Sequence, residues 1–492
     1  MSALSDAISR RQPAASLSAR SPLHGLRRGS VRTVDLVAQS VAAVAPAGVL
    51  LTHSGGLVGH LGSFSFVALL LTAAVVVLVA LTMSVFARRI SAAGGIYTFV
   101  TRGLGPIVGI AAGAAIALGY ASVAIDTLRS GVRRLGGLIT AGNGEDAATT
   151  VLLALGCTAI IVVVIVCGAR ASTRVMLVIE SVAVAAILAV TAVVFAGTGW
   201  DLAPLVPDPG AMPSPSALAG GIGIALVSFV GFESGATLGP ESRRPLASVP
   251  RALVWTAVAV AIVYLFGTGA QLSAAASGSA GRTSALVPAS VLESAPWTAT
   301  LIDAVIAASW LVCTLACTNA LVRLVFTMAR EGILPAWLGR TSQRFATPHR
   351  AALTVGGVVA TGTILQAWAG HGSLLDATIA LATPVGFLIA YLLVCAAAVP
   401  YLLRVGEFTL RESWPAIVGT VALGAVAVTE VMGVVGLDRA ALAIIAVVLA
   451  MAVLGHVVRF RAGRTSTSHS GAYDTPVAAD ALATPGDGLP RP

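Results

Sequence analysis

Ser228-Phe229-Val230-Gly231-Phe232-Glu233-Ser234-Gly235 falls inside an apolar run, 216–238, that is long enough to cross a bilayer. Two glycines flank a carboxylate where lipid would tolerate neither well. An ionisable residue at membrane depth is costly and marks a functional site by default. The first apolar run, 34–54, has its own flaw near mid-span, Ala45-Pro46-Ala47-Gly48. Interrupted membrane helices at corresponding positions of two halves point to a site where a solute is held.

The rest of the chain supports a membrane setting. Of its 492 residues 57% are apolar and 10% charged, with mean hydropathy +0.92. A soluble protein is about a quarter charged. The fold class is therefore an all-α polytopic membrane protein, since a barrel would show alternating short strands. All 30 basic residues are Arg, and the net charge of +9 reflects loop arginines rather than a nucleic-acid surface. Cys157, Cys167, Cys313, Cys317 and Cys395 all lie in apolar segments, with neither metal spacing nor a disulfide framework. No Ser-His-Asp set, phosphate loop or metal cluster is present, so no enzyme activity, cofactor or metal is expected.

About 12 transmembrane helices can be placed, at 34–54, 64–87, 103–128, 147–168, 173–197, 216–238, 250–273, 298–328, 350–369, 374–402, 415–436 and 439–461. These are spans 1 to 12. Loop arginines test the count. One side holds Arg88, Arg89, Arg102, Arg170, Arg174, Arg243, Arg244, Arg251, Arg330, Arg340, Arg344, Arg350, Arg404 and Arg411, then Arg459, Arg461 and Arg464. The other holds Arg129, Arg133, Arg134, Arg282 and Arg439, diluted by Glu145, Asp146, Asp201, Asp208, Glu293 and Asp438. Positive loops stay inside, so both termini are expected in the cytoplasm of a cell bounded by this plasma membrane. Residues 1–33 read as a cytoplasmic tail with Arg27, Arg28 and Arg32 at its end, and 462–492 as a disordered tail too polar to pack.

The two breaks have chemistry of their own. A half-helix N-terminus suits a carboxylate, and carbonyls at a half-helix C-terminus suit an ammonium or cation. In span 1 the candidate donors are the N–H groups of Ala47 and Gly48, because Pro46 has none. In span 6 the candidate acceptors are the carbonyls of Val227, Ser228 and Val230, next to Gly231.

Beyond the break, Glu233 is followed by Pro240-Glu241-Ser242-Arg243-Arg244-Pro245 and Val249-Pro250-Arg251-Ala252. This resembles the signature of the amino acid–polyamine–organocation permeases. So do Ala93-Gly94-Gly95-Ile96-Tyr97 with Arg102-Gly103-Leu104-Gly105, the start of span 5 from Gly168 to Arg174, and Asn319, Arg323 and Met328 to Pro335, where Glu331 replaces the usual aspartate. The resemblance implies a LeuT-type fold, a 5+5 inverted repeat plus two peripheral helices. Repeat one would cover about 34–197, repeat two about 216–402, and the peripheral helices about 415–461 of a transporter domain at 34–461. It further implies a substrate site between spans 1, 3, 6, 8 and 10, with Gly119 and Tyr120 from span 3 and the Cys313, Thr314, Cys317, Thr318 face of span 8. Ser309, Cys313 and Cys317 also form a small-residue stripe, which serves close helix contact equally well.

Glu233 is expected to gate or couple, or else to cap N–H groups freed by the break. Relatives often carry a lysine in span 5; here that position is Ala183. Glu180, one turn earlier, is expected to pair with an Arg near the inner surface or to take part in coupling. Glu241 with Arg243, Arg244, Arg88 and Arg89 is expected to form an inner gate network, and Asp126 with Arg129 a solvated helix end or outer gate. Relatives have glycine-serine-glycine in the span 1 break, so Pro46 removes a donor and keeps ligands without a carboxylate open. The resulting expectation is a secondary-active importer of amino acids working by alternating access, coupled to protons, with sodium held by span 1 carbonyls and Thr314 or Thr318 as the other option. A polyamine or organic-amine transporter or exchanger of the same fold, and a non-transporting membrane sensor, are the alternatives.

Overall fold

Ala45 divides the first span in two. Thr33–Val44 forms span 1a and Pro46–Leu61 forms span 1b, with Ala45 left-handed at φ 51° and ψ 60° between them. A left-handed non-glycine residue is uncommon and strained, and it turns the chain where Pro46 then starts a new helix with its φ already set. Asp35 caps the other end of span 1a, accepting the Arg32 N–H at 2.8 Å. The computed structural model describes residues 21–140, 147–277, 297–433, 436–461 and 470–475.

Ten stretches are long and apolar enough to cross a membrane. The first, Thr33–Ala87, holds spans 1 and 2, and the broken span 6 brings the number to the expected twelve. The chain is thus an all-helical multi-pass membrane protein. Spans 4, 5, 11 and 12 bury only 17–28% of their apolar windows, so they form the lipid-facing rim. Tyr264, Tyr391, Phe229, Phe232 and Phe387, from spans 6, 7 and 10, are completely buried at the centre.

Two spans depart from expectation. Span 3 begins at Pro106 and runs to Ile139, 34 residues or about 51 Å. Gly105, at φ 92°, separates it from a short helix, Ile96–Leu104, of which the expected span 103–128 took in only the last two residues. Arg129, Arg133 and Arg134 therefore lie on a helix rather than in a loop, with Arg129 bonded to Asp376 at 2.7 Å and Arg134 to Asp303 at 2.5 Å. Span 6 stops at Ser228 and resumes as a 3-10 helix, Ser234–Glu241. Glu145, Asp146, Arg282 and Glu293 lie outside the described residues, as do 1–20, 462–469 and 476–492.

The C-terminal tail also needs correction. Its residues 470–475 lie ordered against the helix ends instead of trailing free. The N–H groups of Gly471 and Ala472 donate to Glu331 at 2.9 and 2.7 Å, and Tyr97 donates to the same carboxylate. Arg102 stacks 4.7 Å from the centre of the Tyr473 ring, and Asp474 accepts from Ser21 at 2.7 Å and Arg28 at 2.5 Å. Three charged or aromatic anchors within four residues outweigh a polar composition that cannot make a core.

Candidate functional site: two broken helices in contact

Spans 1a and 6 meet backbone to backbone at the breaks. A Cβ on Gly231 would lie 2.8 Å from the Ala43 carbonyl, and one on Gly235 would lie 2.5 Å from the Leu36 carbonyl oxygen. Gly231 is also left-handed, at φ 101°, so both its sterics and its torsion call for glycine. The contact is laced by hydrogen bonds: Gly235 N–H to Ser40 Oγ at 3.0 Å and Ser234 Oγ to the Gln39 carbonyl at 3.2 Å.

Glu233 sits in the turn that joins the two parts of span 6 and is 2% exposed. Tyr120 of span 3 donates to its Oε1 at 2.6 Å and Tyr391 of span 10 to its Oε2 at 2.5 Å. Its carboxylate thus takes donors from two other helices rather than capping span 6 alone. No salt-bridge partner for Glu233 or Glu180 exists among the described residues. A buried carboxylate held only by neutral donors carries a charge that no opposite charge balances when it is ionised.

Glu180 stands elsewhere than expected. It pairs with no Arg and lies in the core, where Ser309 Oγ donates to its Oε1 at 3.1 Å and the Ala47 N–H faces the carboxylate. Span 5 starts at Ala169, earlier than expected, so Glu180 lies about three turns in, at the level of the span 1 break. The Gly48 N–H in turn donates to Ser309 Oγ at 3.3 Å.

The span 8 stripe faces span 1. Cys313 Sγ lies 3.1 Å and Cys317 Sγ 3.9 Å from the Ala43 carbonyl. Thr314 turns the other way, 2.9 Å from Thr127 of span 3, so it does not face the break as a sodium site with span 1 carbonyls requires. Thr318 is buried with no hydrogen-bond partner. Gly119 packs against Phe387, 2.7 Å from where its Cβ would be, and so serves the contact of spans 3 and 10 rather than lining a site. Of the span 6 acceptors, the Val227 carbonyl is taken by the Val230 N–H at 3.1 Å; the Ser228 hydroxyl, separate from its carbonyl, donates to the Ile224 carbonyl at 2.8 Å.

A cavity of about 210 Å³ opens beside these groups, with walls from spans 1, 3, 6, 8 and 10. Val44, Val123, Val227, Val230 and Trp310 make it apolar, and Asp126 places a carboxylate in its wall. Asp126 is thus a cavity residue, accepting from Gln366 at 3.3 Å, while its expected companion Arg129 turns to Asp376.

The expected inner network is also differently wired. Glu241 bonds to Arg323, at 3.0 Å to Nε and 2.6 Å to Nη2, and not to Arg243, Arg244, Arg88 or Arg89. Arg89 instead meets Glu407 at 2.6 Å and Glu412 at 2.8 Å. From Arg323 the chain of bonds continues to Asn319, whose Nδ2 donates to Gln39 Oε1 at 2.8 Å, and Gln39 Nε2 donates to the Ala316 carbonyl at 2.8 Å. Asn319 and Arg323, an amide and a guanidinium four apart within a membrane span, were the available signal, and Tyr391 gave none beyond being an aromatic in span 10.

A membrane bundle with two broken helices in contact, and a small cavity beside the breaks, defines a solute transporter. Comparison with known proteins agrees: the chain belongs to the amino acid permease family, whose model matches residues 32–463. It is 29% identical over 310 residues to proteins of Mycobacterium bovis and Mycobacterium tuberculosis described as transporters, a match covering 61% of this chain and 66% of theirs. It is 26% identical over 340 residues to the branched-chain amino acid permease BcaP of Bacillus subtilis, covering 64% of this chain and 70% of that one. The chain therefore spans about two thirds of the length of the curated relatives it matches.

Proposed function

We propose that this permease is a secondary-active importer of small amino compounds, amino acids or amines, which works by alternating access in a LeuT-type arrangement and couples uptake to protons at Glu233. The observation that carries this reading is Glu233 itself, buried at the span 6 break, held by Tyr120 and Tyr391 and, among the described residues, paired with no cation. A proton or a ligand ammonium completes it, and a change of proton occupancy can then accompany each turnover. The orientation of Thr314 away from the break favours protons over sodium. Both termini lie on the cytoplasmic side of a bacterial plasma membrane in this reading, as the loop arginines require.

The test is uptake by purified protein in liposomes under imposed proton or sodium gradients. The name of the Bacillus relative makes branched-chain amino acids and their decarboxylated twins the first panel. Accumulation of at least one compound under a proton gradient is the expected result. Binding without any gradient-dependent uptake or exchange would identify a sensor and overturn the proposal.

A further inference from the structure

The donors in the first turn of span 1b are turned toward the protein's own acceptors. Pro46 carries no N–H, the Ala47 N–H faces Glu180, the Gly48 N–H goes to Ser309 Oγ, and the Val49 N–H goes to the Ala45 carbonyl at 2.9 Å. The Ser309 hydroxyl in turn donates a hydrogen bond to Glu180 at 3.1 Å, so these two residues stand against the donors that a ligand carboxylate would seek. Glu180 is 2% exposed, and its Oε2 has no hydrogen-bond partner. The hydroxyl of Tyr264, on span 7 and 1% exposed, faces the same region and also lacks one. Buried polar atoms are rarely left so, and two at one place mark a spot where charge or a small polar group is accommodated.

We propose that Glu180 is the specificity-determining residue of this site: it supplies from span 5 the carboxylate that fills the span 1 break, and the ligand is therefore an organic amine with no carboxylate of its own. This rests on the transporter reading above and narrows it. A ligand carboxylate brought to Ala47 and Gly48 would have to compete with Glu180 and Ser309 for the donors they already take, inside a core where an unpartnered carboxylate is costly. The cavity agrees. Among the described residues its wall holds one acid, Asp126, one histidine, His53, no arginine, and a majority of apolar side chains, which suits an ammonium on a small aliphatic body.

The test compares twins that differ only in the carboxylate: 3-methylbutylamine with leucine, and 2-methylpropylamine with valine. Binding to the purified full chain is followed by calorimetry. Wild type should hold each amine about 10-fold or more tightly than its amino acid, the scale of one unsatisfied buried polar group. Glu180→Ala frees the Ala47 N–H and the Ser309 hydroxyl for a ligand carboxylate and should reverse the order. Should that variant fail to fold, the wild-type comparison decides alone. Tighter or equal binding of the amino acids by wild type, or failure of both amines to bind, overturns the assignment, as does a Glu180→Ala variant that weakens both members of a pair by the same factor. Gradient-driven accumulation is measured separately in liposomes, so a protein that transports leucine disproves this inference and leaves the importer standing.

Discussion

Arg323 and Glu241 form a fully buried ion pair that joins span 8 to the 3-10 segment leaving the span 6 break, each side chain 2% exposed. Asn319 and Gln39 extend it to span 1, so one polar thread ties the three helices that carry the site. Removing one partner strands a charge in the core. Arg323→Ala should cost about 3–5 kcal/mol of stability. Thermal unfolding in detergent measures this, and Arg323→Ala combined with Glu241→Ala should lose less than the two single losses added together.

Glu233→Gln should abolish accumulation driven by a proton gradient while leaving exchange of ligand across the membrane. Uptake and counterflow in the same liposomes separate the two. An unchanged dependence of uptake on pH would remove Glu233 from the coupling role.

Tyr391→Phe and Tyr120→Phe each leave one oxygen of Glu233 without its donor, at about 1–3 kcal/mol apiece. Either change should slow uptake about 10-fold or more, and the double variant should do worse than either alone. Initial uptake rates at saturating ligand are the measurement.

Gly231→Ala places a methyl 2.8 Å from the Ala43 carbonyl and forces a side chain onto a φ of 101°. The variant should reach the membrane and fail to bind ligand, whereas Gly137→Ala, which meets nothing within 4 Å, should behave as wild type. Calorimetry on both purified proteins makes the comparison.

The tail clasp depends on pH. Burial pushes the Glu331 carboxyl above the usual carboxylate range, partly offset by the donors from Tyr97 and the tail N–H groups. A group with a raised value in the docked form favours docking below its undocked value and loses that contribution as pH rises through the raised one. Protease protection of residues 470–475 should therefore fall as pH rises from the acid side, and Glu331→Gln should flatten the dependence.

The membrane class, the number of spans and both breaks were legible in the sequence, because apolar length and the placement of Gly and Pro are local signals. What stayed hidden depends on which helix faces which. Glu180 looked like a residue near the inner surface until span 5 was seen to reach the level of Ala47, and Glu241 found Arg323, 82 residues away, in place of the nearby Arg243 and Arg244. The long span 3 escaped for a different reason, since its outer end carries Arg129, Arg133 and Arg134 and falls below the apolar pattern although it remains helical. Gly119 shows the limit of family carry-over: the residue type matches, and Phe387 occupies the space that would make it a binding residue.

Glycines in membrane helices are usually credited with pliancy, and those of span 6 do the reverse. Because Gly231 and Gly235 admit the backbone of span 1a at Ala43 and Leu36 with no side chain between, the two interruptions cannot flex as separate joints. They form one rigid crosspiece. In the alternating access proposed above, any rocking would turn about this crosspiece or carry it whole.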